Sequence, residues 1–439
     1  MGVVVNGLKI AAGVSGLALA LSAPLPASAA GAMADGQSTA VSVSTSVASF
    51  YDTFRTQPIW FRNGPDAAAI AQLTAILQRA PFDGFPQGPQ LAAQVQSAVA
   101  QAASGKPDDV AAAEQLLSSA WVQYVQAVRK PTAGMIYAYP VLQPQGTSAD
   151  QILLTTAAAP SLAGYLASVS DVNAIYKQLR DTAWAEAQAS GNLTPDPRLL
   201  ANLDRVRSLP AKGRFLLVDS GSSMLTLYQD GQVVDSMKVI TGTEELPTPL
   251  IASYMYYITY NPYWHAPDHL VRKTIAPNFL RGGMKYLKSH GYKVIEDWSE
   301  NPTVIDPGKV DWKAAAAGKV HLKIQQDPGP LNSMGDLKFP FPNPEDIYLH
   351  DTPDHSKFAL ANRNLSNGCV RVEDAERLGR WLLGHDPKSP GDTPELRVQL
   401  PRPTPIYLTY ITAQVKDGKI AYMKDLYGWD SKPPQFASN

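Results

Sequence analysis

A cysteine and a histidine lie within one short stretch of the chain, and together they could carry out nucleophilic chemistry. Cys369 is the sole cysteine of 439 residues, and His350 precedes it by 19 positions. An imidazole within reach of a thiol can take its proton and so create the thiolate that attacks a carbonyl carbon. The thiol needs that help, because a free cysteine with a pKa of about 8.5 is mostly protonated at neutral pH. Gly368, just before the cysteine, lets the backbone turn so that amide N–H groups face a developing oxyanion. The bland alternative is a small buried hydrophobe near a histidine that only satisfies a core hydrogen bond.

Positioning these residues falls to two short β-type runs. Ile347-Tyr348-Leu349 precedes the histidine, Cys369-Val370-Arg371-Val372 follows the glycine, and the polar, Pro-containing stretch between them reads as a loop. Alternating patterning begins at Arg214 and predicts strands over 215–219, 224–228 and 232–240, with Asp230-Gly231 as a tight hairpin. Further strands are expected at 253–260, 321–325 and 405–415, a second hairpin at Asp417-Gly418, and a helix from Glu373 to Leu383. Upstream, from Val47 to Ala189, the apolar residues keep helical spacing, as in Leu73, Ile76, Leu77 and Ala80. Residues 191–197 read as a linker. Residues 268–335 are rich in Pro, Gly, Lys, Asp and Asn and too long for a simple loop, which predicts an inserted cap or lid. The expected class is α+β and multidomain: an all-α domain over 49–200, then a mostly β domain over 201–439.

Residues 1–30 read as a secretory signal, with Lys9, an apolar run from Ile10 to Leu21, and Ala27-Ser28-Ala29 as the cleavage site. A Ser/Thr/Ala/Gly-rich flexible segment follows over 31–48. An exported chain with one odd thiol points to a reactive group or intermolecular pairing. The 38 basic and 39 acidic residues balance, so the chain lacks the electrostatic footprint of a nucleic-acid or anionic-membrane binder. Neither HExxH nor CxxC occurs, and Pro267 interrupts the His265/His269 pair, so neither a metal nor another cofactor is expected.

His350, the loop, and Ser366-Asn367-Gly368-Cys369-Val370-Arg371 resemble the signature of the L,D-transpeptidases of bacterial cell walls, which share a YkuD-type β-sandwich catalytic domain. Phe50-Tyr51, Gln57-Pro58-Ile59-Trp60-Phe61 and Asn202-Leu203-Asp204-Arg205-Val206-Arg207 are similar to the helical scaffold and domain entry of that family's long Gram-negative branch. The resemblance implies periplasmic acyl transfer between peptidoglycan stem peptides through a cysteinyl thioester, serving cell-wall biogenesis and cell shape, with carbapenems acylating the thiol. It implies Cys369 as nucleophile, His350 as acid and base oriented by the Asp351 backbone carbonyl, and Gly368 in the oxyanion region. Asn367, Arg371, Ser366 and Tyr348 would contact substrate. Two departures stand out: Asn367 replaces the family's usual histidine, and no room exists between Trp184 and Asn202 for a glycan-binding module. Whether 3–3 or 1–3 links are made stays open, as does the oligomeric state. So do a trimming L,D-carboxypeptidase with the same site and a non-catalytic cell-wall scaffold protein.

Overall fold

A computed structural model describes residues 44–54, 57–299 and 301–435. The signal reading, and most of the flexible-segment reading, fall outside the described residues. Among the described residues, eight α-helices come first: α1 (Thr45–Phe54), α2 (Ala67–Arg79), α3 (Gly88–Ala102), α4 (Pro107–Val128), α5 (Ala149–Ala157), α6 (Leu162–Asp171), α7 (Ala174–Ser190) and α8 (Pro197–Val206). Their starts follow capping chemistry. Side chains of Asp66, Ser148, Ser161, Asn173 and Asp196 accept from first-turn N–H groups that have no helical partner. The Ile59-Trp60-Phe61 segment hangs on one buried carboxylate: Glu114 accepts from the amides of Ile59 at 2.5 Å, Trp60 at 3.0 Å and Phe61 at 3.2 Å. Trp60 is fully buried, as is Trp121 of α4, whereas Phe61 is half-buried.

Two boundaries differ from expectation. Helix α1 starts at Thr45, inside the stretch read as flexible. Helix α8 runs through the 200/201 division, because Asp196 caps it and Pro197 takes its first position, where the missing N–H costs nothing.

The strands are β1 (Ile136–Tyr137), β2 (Arg214–Asp219), β3 (Met224–Gln229), β4 (Gln232–Gly242), β5 (Ile251–Tyr260), β6 (Trp264–His265), β7 (Tyr292–Ile295), β8 (Val304–Ile305), β9 (Lys323–Gln326), β10 (Leu337–Pro340), β11 (Tyr348–His350), β12 (Asn364–Ser366), β13 (Val370–Val372), β14 (Leu396–Thr409), β15 (Ala413–Lys416) and β16 (Lys419–Tyr422). The main sheet follows β5-β10-β11-β13-β4-β3-β2-β14, and β14 also pairs with β5, so these eight strands close on themselves. Every strand of this ring sends buried apolar side chains to one core, among them Val218, Leu225, Val239, Ile258, Phe339, Leu349, Val370 and Leu408.

The inserted segment is a small fold in its own right. Helices α9 (Asp268–Leu270), α10 (Ala276–Ser289) and α11 (Trp312–Ala316) pack on a sheet of order β6-β9-β7-β8 around Val271, Ile275, Leu287, Val294 and Ile324. Strand β6 lies before residue 268, so the cap recruits the chain ahead of its expected start. Helix α12 (Ala375–Leu383) follows the cysteine segment and buries Leu378 and Leu382 in the ring's core. No described helix is long and apolar enough to cross a membrane.

The helical part and the ring share a second core. Tyr176, Leu179, Leu199, Leu203 and Val206 from α7 and α8 pack with Phe215, Leu217 and Tyr407 on the sheet's outer side. Truncating a fully buried leucine leaves a cavity costing about 2–5 kcal/mol. Leu203→Ala is therefore expected to lower the urea midpoint in one transition followed by both fluorescence and far-UV circular dichroism. Two separate transitions would show that the helices and the ring unfold independently.

Candidate active site

The site is built on the outer face of the ring, where β11 runs parallel to β13. Leu349 pairs with Val370 and His350 with Arg371, while antiparallel β10 sets Lys338 opposite His350 and Pro340 opposite Tyr348. Side chains alternate along a strand. Leu349 and Val370 therefore enter the core, while Lys338, Tyr348, His350 and Arg371 share the opposite face. Cys369 precedes β13 and joins that face beside Tyr348.

The turn before the cysteine is tightly fixed. Gly368 has φ +111°, a conformation that side-chain-bearing residues avoid, and a Cβ there would meet Ile347 Cδ1 at 3.1 Å. The Thr248 hydroxyl donates to the Gly368 carbonyl at 2.7 Å and accepts from the Gly242 amide at 2.9 Å. The Ser366 hydroxyl donates to the Cys369 carbonyl at 2.5 Å and accepts from the Gly368 amide at 3.2 Å. These contacts correct two expectations. Ser366 is buried and closes the turn, so it is not presented to a substrate. The Gly368 amide is turned into Ser366, so it is not aimed at an oxyanion.

His350 is buried, and its Nδ1 lies 2.5 Å from the Asp351 carbonyl oxygen. A carbonyl only accepts, so Nδ1 carries the hydrogen and Nε2 of the neutral ring keeps its lone pair. The Asp351 carboxylate is occupied elsewhere, accepting from the Asp336 amide at 3.0 Å. Burial, reinforced by the positive charges of Arg371 and Lys338, pushes the His350 pKa from 6.5 down to about 3 despite the Asp351 hydrogen bond. The imidazole is thus a neutral base across the physiological range.

The half-buried Cys369 sulfur contacts the Asp346 carbonyl oxygen at 3.8 Å rather than the imidazole. Burial pushes its thiol pKa up. Hydrogen bonds from the Tyr348 amide and phenol oppose that shift, as do the charges of Lys338 and Arg371. The Tyr348 phenol is itself raised by burial and by the neighbouring sulfur. Tyr348 therefore belongs to the sulfur's own surroundings. Lys338 is the residue that sequence reasoning missed: its Nζ sits 4.4 Å from the Tyr348 ring centroid, facing both thiol and imidazole. Arg371 is half-buried with Nε lacking a hydrogen-bond partner, and Asn367 is exposed.

A cavity of about 440 Å³ adjoins the thiol, lined by Tyr256, Tyr257, Lys338, Asp346 and Tyr348, with Tyr263 and His265 as a further wall. Tyr263 and His265 stack at 6.2 Å between ring centroids, and the cap's Trp298 leans on His265 at 4.5 Å. The cap therefore supports one side of the cavity. A larger space of about 820 Å³ opens past Asp351, bordered by Tyr260, Leu337, Glu373 and Arg380.

A thiol, a neutral imidazole and a cationic strand face thus share one side of a closed β-ring. Residues 213–425 match the L,D-transpeptidase catalytic domain YkuD, and residues 45–182 match the Scaffold domain. The chain belongs to the L,D-transpeptidase family, with a scaffold domain ahead of its YkuD domain. A Haemophilus influenzae protein assigned as an L,D-transpeptidase is 28% identical over 397 residues, spanning 88% of this chain and 78% of that one. Among solved structures, the Ldtfm–avibactam carbamoyl enzyme aligns at 12% identity and TM-score 0.23, covering 45% of this chain and 49% of that one. An L,D-transpeptidase from Mycobacterium smegmatis gives 12% identity and TM-score 0.22, covering 46% and 60%.

The depressed His350 pKa has a stability consequence. An unfolded chain binds a proton near pH 6.5, whereas the folded one resists until about 3. The contribution is fully present above pH 6.5 and lost as pH falls through that window. His350→Gln removes the titrating group. Urea midpoints at pH 7 and pH 4 should therefore differ less in this variant than in wild type; an equal drop in both would contradict a buried neutral imidazole.

Proposed function

We propose that this protein cross-links peptidoglycan stem peptides by acyl transfer through Cys369. The observation that supports this reading most directly is the His350 tautomer: Asp351 takes the Nδ1 hydrogen, leaving Nε2 as an acceptor on the face that carries the thiol. In the proposed cycle the sulfur swings from the Asp346 carbonyl, and His350 Nε2 takes its proton. The thiolate attacks a donor carbonyl, the leaving amine takes that proton from His350, and a thioester remains. An acceptor amine then attacks the thioester carbonyl, His350 removes its proton, and the C–S bond breaks to free the cross-linked product as the Cys369 thiolate takes that proton back. Because the Gly368 amide is engaged, the Cys369 amide and the Tyr348 phenol are the proposed oxyanion donors. Arg371, with Nε unpaired, is proposed to hold a substrate carboxylate. Export to the periplasm is part of this proposal.

Mass spectrometry of purified muropeptides incubated with the protein tests it. Dimers are expected from wild type and none from Cys369→Ala, which should keep its fold because the residue's value is chemical. Trimmed monomers without dimers would instead make the protein an L,D-carboxypeptidase. A carbapenem should add its mass to Cys369 in wild type only.

Link type rests on Asn367, which offers a neutral amide where the family's usual histidine can carry charge or a proton. We propose that donor choice is shifted towards the first stem residue, giving 1–3 links. Tandem mass spectrometry of the dimers decides this: exclusive 3–3 dimers, unchanged by Asn367→His, would make the substitution neutral. The cap is proposed to shield the thioester from water. Truncating Trp298 to Ala should then raise the ratio of trimmed monomer to dimer several-fold, with an unchanged ratio assigning it a packing role.

A further inference from the structure

Away from the thiol, a second cavity holds charge that nothing in the acyl-transfer reading uses. It encloses about 330 Å³ between the end of α8, the loop after α4 and the C-terminal tail, with Lys130, Arg205, Arg207 and Lys432 lining it against the carboxylates of Asp204 and Asp430. The volume lies in the range of small-ligand sites. Four cationic groups against two carboxylates leave its walls two charges positive.

The decisive residue is Arg205, only 3% exposed. One of its terminal nitrogens pairs with Asp430, but Nε and Nη1 have no hydrogen-bond partner. Asp430 also accepts from the Thr412 hydroxyl at 2.7 Å and from Asn202 at 3.3 Å, and the guanidinium carbon lies 5.2 Å from the Tyr410 ring centroid. Asp204 accepts from the Ala133 amide at 2.9 Å and faces Arg207 at 3.3 Å and Lys130 at 3.7 Å. Buried guanidinium N–H groups without acceptors are costly, and native structures rarely leave them so. The tail forms a purpose-fitted wall. Gly134, at φ +73°, lies so close to the Pro434 carbonyl oxygen that a Cβ would approach it to 2.3 Å. Only a glycine there lets the tail close over the cavity.

We infer that this cavity is an anion site that takes a carboxylate of a peptidoglycan stem peptide, held by Arg205 inside and by Lys130 and Lys432 at the rim. The carboxylate class supplies acceptors only, which is what the unpaired donors lack. Stem peptides carry several such groups, so the site would hold the substrate meshwork at a distance from the thiol. The identity of the ligand rests on the proposed function; the existence of an anion site does not.

Hydrogen–deuterium exchange of the Cys369→Ala protein tests it, with a disaccharide tetrapeptide as probe. Exchange in 429–434 is expected to slow at least twofold. The same probe with its carboxylates converted to carboxamides should have no such effect. The Lys130→Gln/Lys432→Gln pair should abolish protection in 429–434 while leaving any at 346–350 intact; both lysines are exposed, so folding is not at risk. Protection by inorganic phosphate but not by the tetrapeptide would overturn the carboxylate assignment. No protection by either probe would overturn the site. Wild-type protein that makes no dimers yet shows carboxylate-dependent protection would sink the transpeptidase reading alone, whereas dimers without protection would sink this inference alone.

Discussion

The parallel pairing of β11 with β13 is the constraint on which the candidate site depends. With Leu349 opposite Val370 in the core, His350 and Arg371 must lie side by side on the outer face, and the cysteine one step earlier must stand beside Tyr348. A slip of one residue would turn the imidazole inward and a leucine outward, so the core's demand for Leu349 and Val370 fixes the chemistry. Parallel neighbours cannot be joined by a tight hairpin. The intervening chain returns through β12 along β4 and enters the Gly368 turn, where Thr248 and Ser366 hold the peptide on both sides of the glycine.

The electrostatics follow from the same face. Lys338 and Arg371 bring two positive charges to a buried strip, where they act oppositely on its two titrating groups: they ease ionisation of the thiol and oppose protonation of the imidazole. The outcome is a resting pair of neutral thiol and neutral base, with the sulfur parked on the Asp346 carbonyl. A thiolate–imidazolium pair at rest would need the imidazole to carry a charge its surroundings disfavour.

How much was legible in the sequence varied with how local the signal was. The Cys369, His350 and Arg371 offsets stood out because they sit at fixed positions around one turn, and the Asp-Gly hairpins and the helix after Glu373 followed from short-range rules. Strand β14 was legible only in part. Pro401, Pro403 and Pro405 argue against a ladder, yet the strand accommodates the first two where its register with β5 shifts between Gln399 and Thr404, and Pro405 pairs opposite Tyr254. Residues 268–335 read as an irregular insertion because their apolar residues are sparse, but Val271, Ile275, Leu287 and Ile324 suffice for a separate core. Lys338 gave no signal at all, since its partners lie ten or more residues away and meet it only through sheet register. The double duty of Ser366 was hidden for the same reason: a motif shows which residue types stand together, not which way a hydroxyl turns.

The closure of the main sheet through β14 carries a consequence for recognition. Each strand of the ring has neighbours on both sides, but β10 covers only Thr259 and Tyr260 of β5, so residues 253–258 of that strand ladder with β14 alone and keep one edge open to an extended peptide. An extended chain lying in the cavity that Tyr256 and Tyr257 line would therefore meet strand backbone as well as side chains.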